Sequence, residues 1–182
     1  MEAEFGLPQW VFGMRTFDVN PSGAIVTAYT RDGAWQLAFI DEGALQRIDV
    51  PYTDIAAPQW VDDKIIFIGS SAHAASAILL LDPASGAIET LRTSLTADLD
   101  TDGLSVPSSI SFETTDGDTA YGFYYPPMSA TNISPQDERP PLIVRGHGGP
   151  TGATSPSFSL AIQFWTSRGF AVLDVNYRGS TG

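Results

Sequence analysis

The sequence predicts an all-β first part followed by the beginning of a parallel α/β sheet. Three observations carry that prediction. Apolar runs separated by Asp-Gly and similar turns fill residues 1–95. A Pro-Gln-Trp-Val tetrapeptide occurs twice in that stretch, starting at Pro8 and at Pro58. Residues 140–182 then read as strand, glycine loop, helix, strand and loop.

In chain order, residues 24–30 form an apolar, β-branched strand, Arg31-Asp32-Gly33 turns it, and residues 35–40 return. Asp41-Glu42-Gly43 turns again into residues 44–50. Asp-Gly between alternating apolar runs is a strong hairpin signal, because the turn needs backbone with positive φ. After the second tetrapeptide come strands at 64–68, 77–81 and 87–91, the last two joined by Asp82-Pro83-Ala84-Ser85-Gly86. A four-stranded unit repeating about every 50 residues suggests blades of a β-propeller. The competing reading is a small antiparallel sandwich with a chance repeat. Two blades do not close a propeller, so further blades are expected outside this stretch. His73, in the small-residue run 70–76, is expected in a solvated loop.

Residues 96–107 read as a junction. Asp98, Asp100 and Asp102 before Gly103 resemble the start of an EF-hand loop, but Ser109 stands where the bidentate glutamate belongs, and an acidic linker is expected instead. A hairpin follows, 109–115 and 119–125, with Phe112, Tyr121, Phe123 and Tyr125 as its candidate buried side. Residues 128–141 are a polar, proline-rich surface loop. Its Asn132-Ile133-Ser134 sequon matters only in a secreted protein and is followed by Pro135.

Leu142-Ile143-Val144 is a run of the kind buried in parallel sheets, and Gly146-His147-Gly148-Gly149-Pro150 breaks it. Phe158, Ala161, Ile162 and Trp165 have helical spacing, with Ser155 or Ser157 as candidate cap and Gly169 at the C-terminal cap. Residues 170–173 form the next strand. Strand, helix, strand within about forty residues is a βαβ unit. The glycine loop therefore sits at the C-terminal end of a strand, where open α/β sheets place their sites. An HGG turn there is where α/β-hydrolases supply an oxyanion-hole N–H.

His147-Gly148-Gly149-Pro150, then Phe164-Trp165-Thr166-Ser167-Arg168-Gly169-Phe170, then Asn176-Tyr177-Arg178-Gly179-Ser180-Thr181-Gly182 resemble the prolyl oligopeptidase family of serine peptidases, in its acylaminoacyl peptidase and dipeptidyl aminopeptidase branch. The resemblance is specific over 140–182, weaker over 107–127, and architectural before that. It implies a fragment with residues 1–100 as the C-terminal blades of a β-propeller and 101–182 as the N-terminal part of an α/β-hydrolase domain, both incomplete. It implies hydrolysis of short peptides through an acyl-enzyme, with the catalytic Ser, Asp and His beyond Gly182. It makes Gly149 the oxyanion donor through its backbone N–H. Gly148 lets the loop bend, Pro150 fixes its exit, and His147 positions the loop rather than acting as base, since the base of this fold comes last. Tyr177 and Arg178 follow a strand end; they could bind substrate, or serve packing and salt bridges. The partial sheet implies an exposed apolar edge.

No G-x-S-x-G elbow occurs in the chain, and Ser180 in Arg178-Gly179-Ser180-Thr181-Gly182 has the wrong spacing for one. The segment alone is therefore expected to be inactive. Two other readings stay open: an esterase-type hydrolase using the same oxyanion loop, and a non-catalytic propeller that binds partners. Nucleotide binding lacks both the G-x-G-x-x-G spacing and a P-loop lysine.

Charge and composition narrow the partners. The net charge of −12 argues against nucleic acid and against anionic membrane. With no cysteine, disulfides and thiol chemistry are excluded, and no cofactor or metal is expected. There is no apolar run of about 18 residues. The acidic start, MEAEF, has no signal-peptide character, so a cytoplasmic location fits. A homo-oligomer of the intact protein stays open.

Overall fold

The computed structural model describes residues 3–8, 10–97, 101–132, 137–149 and 151–181. Asp98, Asp100, Ile133, Ser134, Pro135 and Pro150, singled out above, lie outside the described residues, as does Gln9 of the first tetrapeptide.

The described residues form three four-stranded sheets. The first is a meander of β1 (Phe17–Val19), β2 (Ile25–Arg31), β3 (Ala34–Asp41) and β4 (Ala44–Ile48). The second is a meander of β5 (Asp54–Val61), β6 (Lys64–Ser71), β7 (Ala74–Leu81) and β8 (Ile88–Thr93). Every neighbouring pair in both is antiparallel, and both have the form of propeller blades. Local chemistry sets the registers. Asp32 and Gly33 have φ of 53° and 75°, and Glu42 and Gly43 have 47° and 79°, the double positive φ that a two-residue turn requires.

The repeat has a different basis from the one the tetrapeptide suggests. Pro58, Trp60 and Val61 lie inside β5, beyond a bulge where Ala57 takes a φ of 50°, whereas Pro8, Trp10 and Val11 lie outside any strand. The structural offset runs from Ile25 to Lys64, 39 residues, and from Ala34 to Ala74, 40 residues. The run around His73 is also more ordered than a loop. β6 extends to Ser71 and β7 starts at Ala74, leaving Ala72 and His73 as the turn. Small residues are needed there: a Cβ at Gly69 would lie 2.7 Å from Leu79 and 3.0 Å from both Phe67 and Tyr52.

The two meanders face each other across one core. Val26, Ala28 and Leu37 meet Ile55, Ile65, Phe67, Leu79 and Leu81, all buried. Each large member contributes about 1.5–3 kcal/mol by leaving water. Asp18 accepts the Trp60 backbone N–H at 2.8 Å, tying β1 to β5.

The third sheet follows a 3-10 turn, Thr101–Gly103. It contains β9 (Ser108–Glu113), β10 (Thr119–Tyr125), β11 (Leu142–Gly146) and β12 (Ala171–Asn176), in the order β11-β12-β10-β9. β11 and β12 are parallel; the other pairs are antiparallel. Helix α1 (Leu160–Thr166) crosses between the parallel strands. Its N-cap is Ser159, whose side chain accepts from Ile162 N–H, rather than Ser155 or Ser157. Gly169, at φ 87°, closes its end, with Phe170 N–H on Trp165 O and Gly169 N–H on Thr166 O.

Phe123, Tyr125, Ile162 and Val172 form a second core, with Ile143 against it. Phe112 and Tyr121 stay exposed, unlike the expected buried side. Phe112 pairs with Ala120, on the opposite face from Phe123. Tyr121 shares the face of Phe123 but lies farther along β10 than the helix covers. Gln163 anchors α1 by bonding both ways with buried Ser105: Ser105 N–H donates to Oε1 at 2.8 Å and Nε2 donates to Ser105 O at 2.9 Å. β11 is an edge strand of this sheet, with Leu142 and Val144 exposed.

Candidate active site

β11 ends at Gly146 and β12 at Asn176, and Gly146 is paired with Val175. Parallel pairing thus puts the two following loops side by side. The glycine loop, 147–159, and the loop 177–181 meet there.

Four contacts fix the glycine loop. The single proton of the Tyr177 hydroxyl is shared between Gly149 O at 2.7 Å and His147 O at 3.1 Å. The His147 ring stacks on Tyr177 with centroids 4.3 Å apart and planes 18° apart. Asn176 holds Thr154 at both backbone groups, accepting its N–H at 2.7 Å and donating to its O at 3.2 Å. Trp10 reaches over from the N-terminal segment, and its indole N–H donates to Thr151 Oγ1 at 2.9 Å. Gly149 itself has φ 80°, a conformation that favours glycine.

The carbonyls that Tyr177 holds belong to the peptides on either side of the Gly148–Gly149 peptide. The N–H of that middle peptide is left without an acceptor among the described residues, and Gly149 is exposed. It is an oriented donor open to solvent.

His147 has a partner that sequence reading missed. Its Nε2 lies 2.7 Å from Ser180 Oγ, a distance that would suit a nucleophile and its base. Ser180 Oγ has one proton and two acceptors in reach, His147 Nε2 and, at 2.6 Å, Tyr177 O, so the imidazole tautomer sets the direction of the pair. His147 Nδ1 lies 3.4 Å from Gly148 O, and among the described residues no carboxylate orients the ring. The pair joins two loops and lacks the third member of a triad.

Arg178 pairs with Asp118, and with Asp116 at 3.5 Å, pinning the second loop to the β9–β10 turn. Tyr177 and Arg178 also line a cleft of about 630 Å³ shared with Tyr121, Glu4 and the Arg31-Asp32-Gly33 turn. A smaller cleft of about 240 Å³ lies between Met14, Trp35 and Asp54 on one side and residues 152–155 on the other. His147, Gly148 and Gly149 line neither cleft.

Beneath the loops, Asp174 is buried, accepts from Thr154 Oγ1 at 2.8 Å and sits 3.9 Å from Arg145. Burial, and secondly the Asp174 charge, push the Tyr125 hydroxyl up to about 12. That hydroxyl has no hydrogen-bond partner among the described residues. Burial also raises the Asp54 carboxyl, against hydrogen bonds from Ser70 and Ser155 that lower it. Among the described residues no group of three His, Cys, Asp or Glu could hold a metal. No helix there is long and apolar enough to cross a membrane.

No family model matches the sequence. Over 53 residues the chain is 43% identical to dipeptidyl aminopeptidase BIII of Pseudoxanthomonas mexicana, a match covering 29% of this chain and 8% of that protein. The whole chain superposes on a puromycin-hydrolysing peptidase of Mycobacterium tuberculosis with a TM-score of 0.93 at 29% identity, and covers 28% of it. It likewise superposes on a puromycin hydrolase with a TM-score of 0.90 at 33% identity, again spanning 28% of that chain. Prolyl oligopeptidase B of Galerina marginata shares the fold, with a TM-score of 0.72 at 19% identity over 92% of this chain and 24% of that one. The motifs at 147–149 and 176–181, the sheet order that brings them together, and these likenesses agree: the chain fits a fragment of a prolyl oligopeptidase family peptidase, spanning under a third of the length of the proteins it matches.

Proposed function

We propose that this chain supplies the oxyanion loop of a serine-type peptidase that hydrolyses short peptides through an acyl-enzyme. The observation that carries the reading is the Gly149 N–H, unbonded and exposed between two peptides tethered by Tyr177. In acyl transfer a serine oxygen bonds to the scissile carbonyl carbon, and negative charge moves onto the carbonyl oxygen. A fixed donor aimed at that oxygen lowers the barrier by about 3 kcal/mol, because its orientation is set before reaction. His147, Tyr177 and Ser180 hold the loop; Arg178 holds the loop that carries Tyr177 and Ser180.

In this reading residues 1–100 are propeller blades and 101–182 open an α/β-hydrolase domain. In this reading the nucleophile, its base and the acid lie outside residues 1–182, since no serine here has the elbow spacing and no carboxylate among the described residues backs the His147–Ser180 pair. The peptidases that the chain matches support an amide substrate over a simple ester.

The test is covalent labelling. Protein expressed from the complete reading frame is treated with a fluorophosphonate, and the modified peptide is mapped. A labelled serine outside 1–182, with turnover of aminoacyl anilides, is the expected result; residues 1–182 alone should show neither. Labelling at Ser180 would instead make the His147–Ser180 pair catalytic. No labelling and no turnover would end the peptidase reading.

A further inference from the structure

We propose that Trp10 is the platform on which the substrate side chain next to the scissile bond rests, which makes it a specificity-determining residue. The inference rests on Gly149 as the oxyanion donor. It commits to a substrate class: short peptides with an aromatic or large aliphatic residue at the acyl position.

The argument starts from an anomaly of exposure. Trp10 is 63% exposed, and Phe12 beside it is 95% exposed. An exposed tryptophan is ordinarily free to rotate, but this one is held. Its indole N–H donates to Thr151 Oγ1, 141 residues away in sequence. The Pro8 O to Val11 N–H turn, at 3.1 Å, fixes the backbone that carries it. A ring held in place binds apolar groups without the cost of ordering itself, and its face offers a large area per residue.

The ring also stands beside the proposed chemistry. Its Cζ2 is 3.5 Å from where a Cβ on Gly149 would lie. In any peptide the carbonyl oxygen and the Cβ of one residue are separated by only about 3 Å, from standard bond lengths and angles. A scissile carbonyl accepting from Gly149 N–H would set its own side chain beside this loop, on whose flank the indole stands. The N-terminal segment thus contributes one wall of a site whose donor comes from the third sheet. Glycine at 149 supplies the positive φ, and a methyl there would just touch the ring edge at 3.5 Å.

The experiment is a titration of the isotope-labelled full chain followed by NMR. Loss of one indole signal in Trp10→Phe assigns the Trp10 Nε1–H resonance. N-acetyl-phenylalaninamide should shift that signal saturably, at least fivefold more than N-acetyl-glycinamide does, and should shift the Gly149 amide as well. A Trp10 shift without a Gly149 shift keeps the platform and removes the oxyanion reading. A Gly149 shift with Trp10 silent, or silence at both, overturns the platform. In the active protein expressed from the complete reading frame, Trp10→Ala should cut the kcat/KM preference for phenylalanyl over glycyl anilides at least tenfold, with Trp10→Phe restoring most of it. Equal loss on both substrates would overturn the proposal. Thr151→Val, which frees the indole without shortening it, should give an intermediate loss of preference.

Discussion

The blade-like meanders and the glycine loop use the same unusual backbone for opposite ends. In the meanders, positive φ at Gly33 and Gly43 closes tight turns between strands that pair with their sequence neighbours. In the loop, positive φ at Gly149 closes no turn between paired strands. It presents an N–H, and the loop around it is held by Trp10, Asn176, Tyr177 and Ser180 from elsewhere in the chain. Structure that is locally encoded tolerates damage at its edges and fails at its core. A structure assembled from distant contacts keeps its stability when one contact is cut and loses its function. Each prediction below breaks or sharpens that contrast.

The largest expected effect is in the meander core. Phe67 is 1% exposed, packed edge-on against Tyr52 at 6.0 Å and set among Ile55, Ile65 and Leu79. Phe67→Ala should lower stability by about 3–5 kcal/mol, as lost burial plus a cavity. Urea denaturation measures it. A loss under about 1 kcal/mol would mean that the two meanders do not share a core.

Next comes Tyr125, beneath the loops. Its hydroxyl is raised to about 12 from an ordinary 10. The folded form therefore keeps its proton where the unfolded chain has lost it, and stability falls as pH rises from about 10 to about 12. The loss attributable to this group approaches about 3 kcal/mol at the top of that window. Tyr125→Phe should remove that component of the slope. It should also leave neutral-pH stability unchanged or slightly higher, because the hydroxyl is buried without a partner. Equal alkaline slopes for the two proteins would show that Tyr125 is not held in this environment.

How much of this was legible follows from where each determinant sits in the sequence. The hairpins could be read because Asp32-Gly33 and Glu42-Gly43 carry their own geometry. The βαβ unit could be read because Ile143, Ile162 and Val172 each keep the period of their element and meet in one core. The repeat length was misread because Pro58-Gln59-Trp60 sits at a bulge in β5 while Pro8 and Trp10 of the first copy are outside any strand, so identity of letters did not mean equivalence of place. Tyr121 and Phe112 were misplaced because aromatic character says nothing about how far α1 extends over the sheet. The His147–Ser180 bond joins residues 33 apart and the Trp10–Thr151 bond residues 141 apart, and no local pattern pairs them.

Tyr177→Phe separates holding the loop from holding the fold. It removes one hydroxyl from two exposed bonds while the ring keeps its stacking on His147. Stability should change by less than about 1 kcal/mol. In the active protein kcat should fall about tenfold with KM nearly unchanged, since the donor acts on the transition state more than on bound substrate. A rise in KM at constant kcat would return Tyr177 to substrate binding, the role its position first suggested.

The smallest effect in stability is the most direct form of the contrast. Gly43 and Gly149 have φ of 79° and 80°, so alanine pays the same backbone strain at each, about 1 kcal/mol. At Gly43 nothing lies within 4 Å of the new methyl, and the strain should be the whole effect. At Gly149 the methyl arrives 3.5 Å from Trp10, an ordinary contact that adds little to the energy. Chemical denaturation should therefore give similar losses for Gly43→Ala and Gly149→Ala. Anilide turnover should separate them: unchanged within twofold for Gly43→Ala, and down tenfold or more for Gly149→Ala, because relaxing φ rotates the N–H away from its target. If both variants keep full turnover, Gly149 is a turn glycine like Gly43, and the tethering by Tyr177 serves the fold alone.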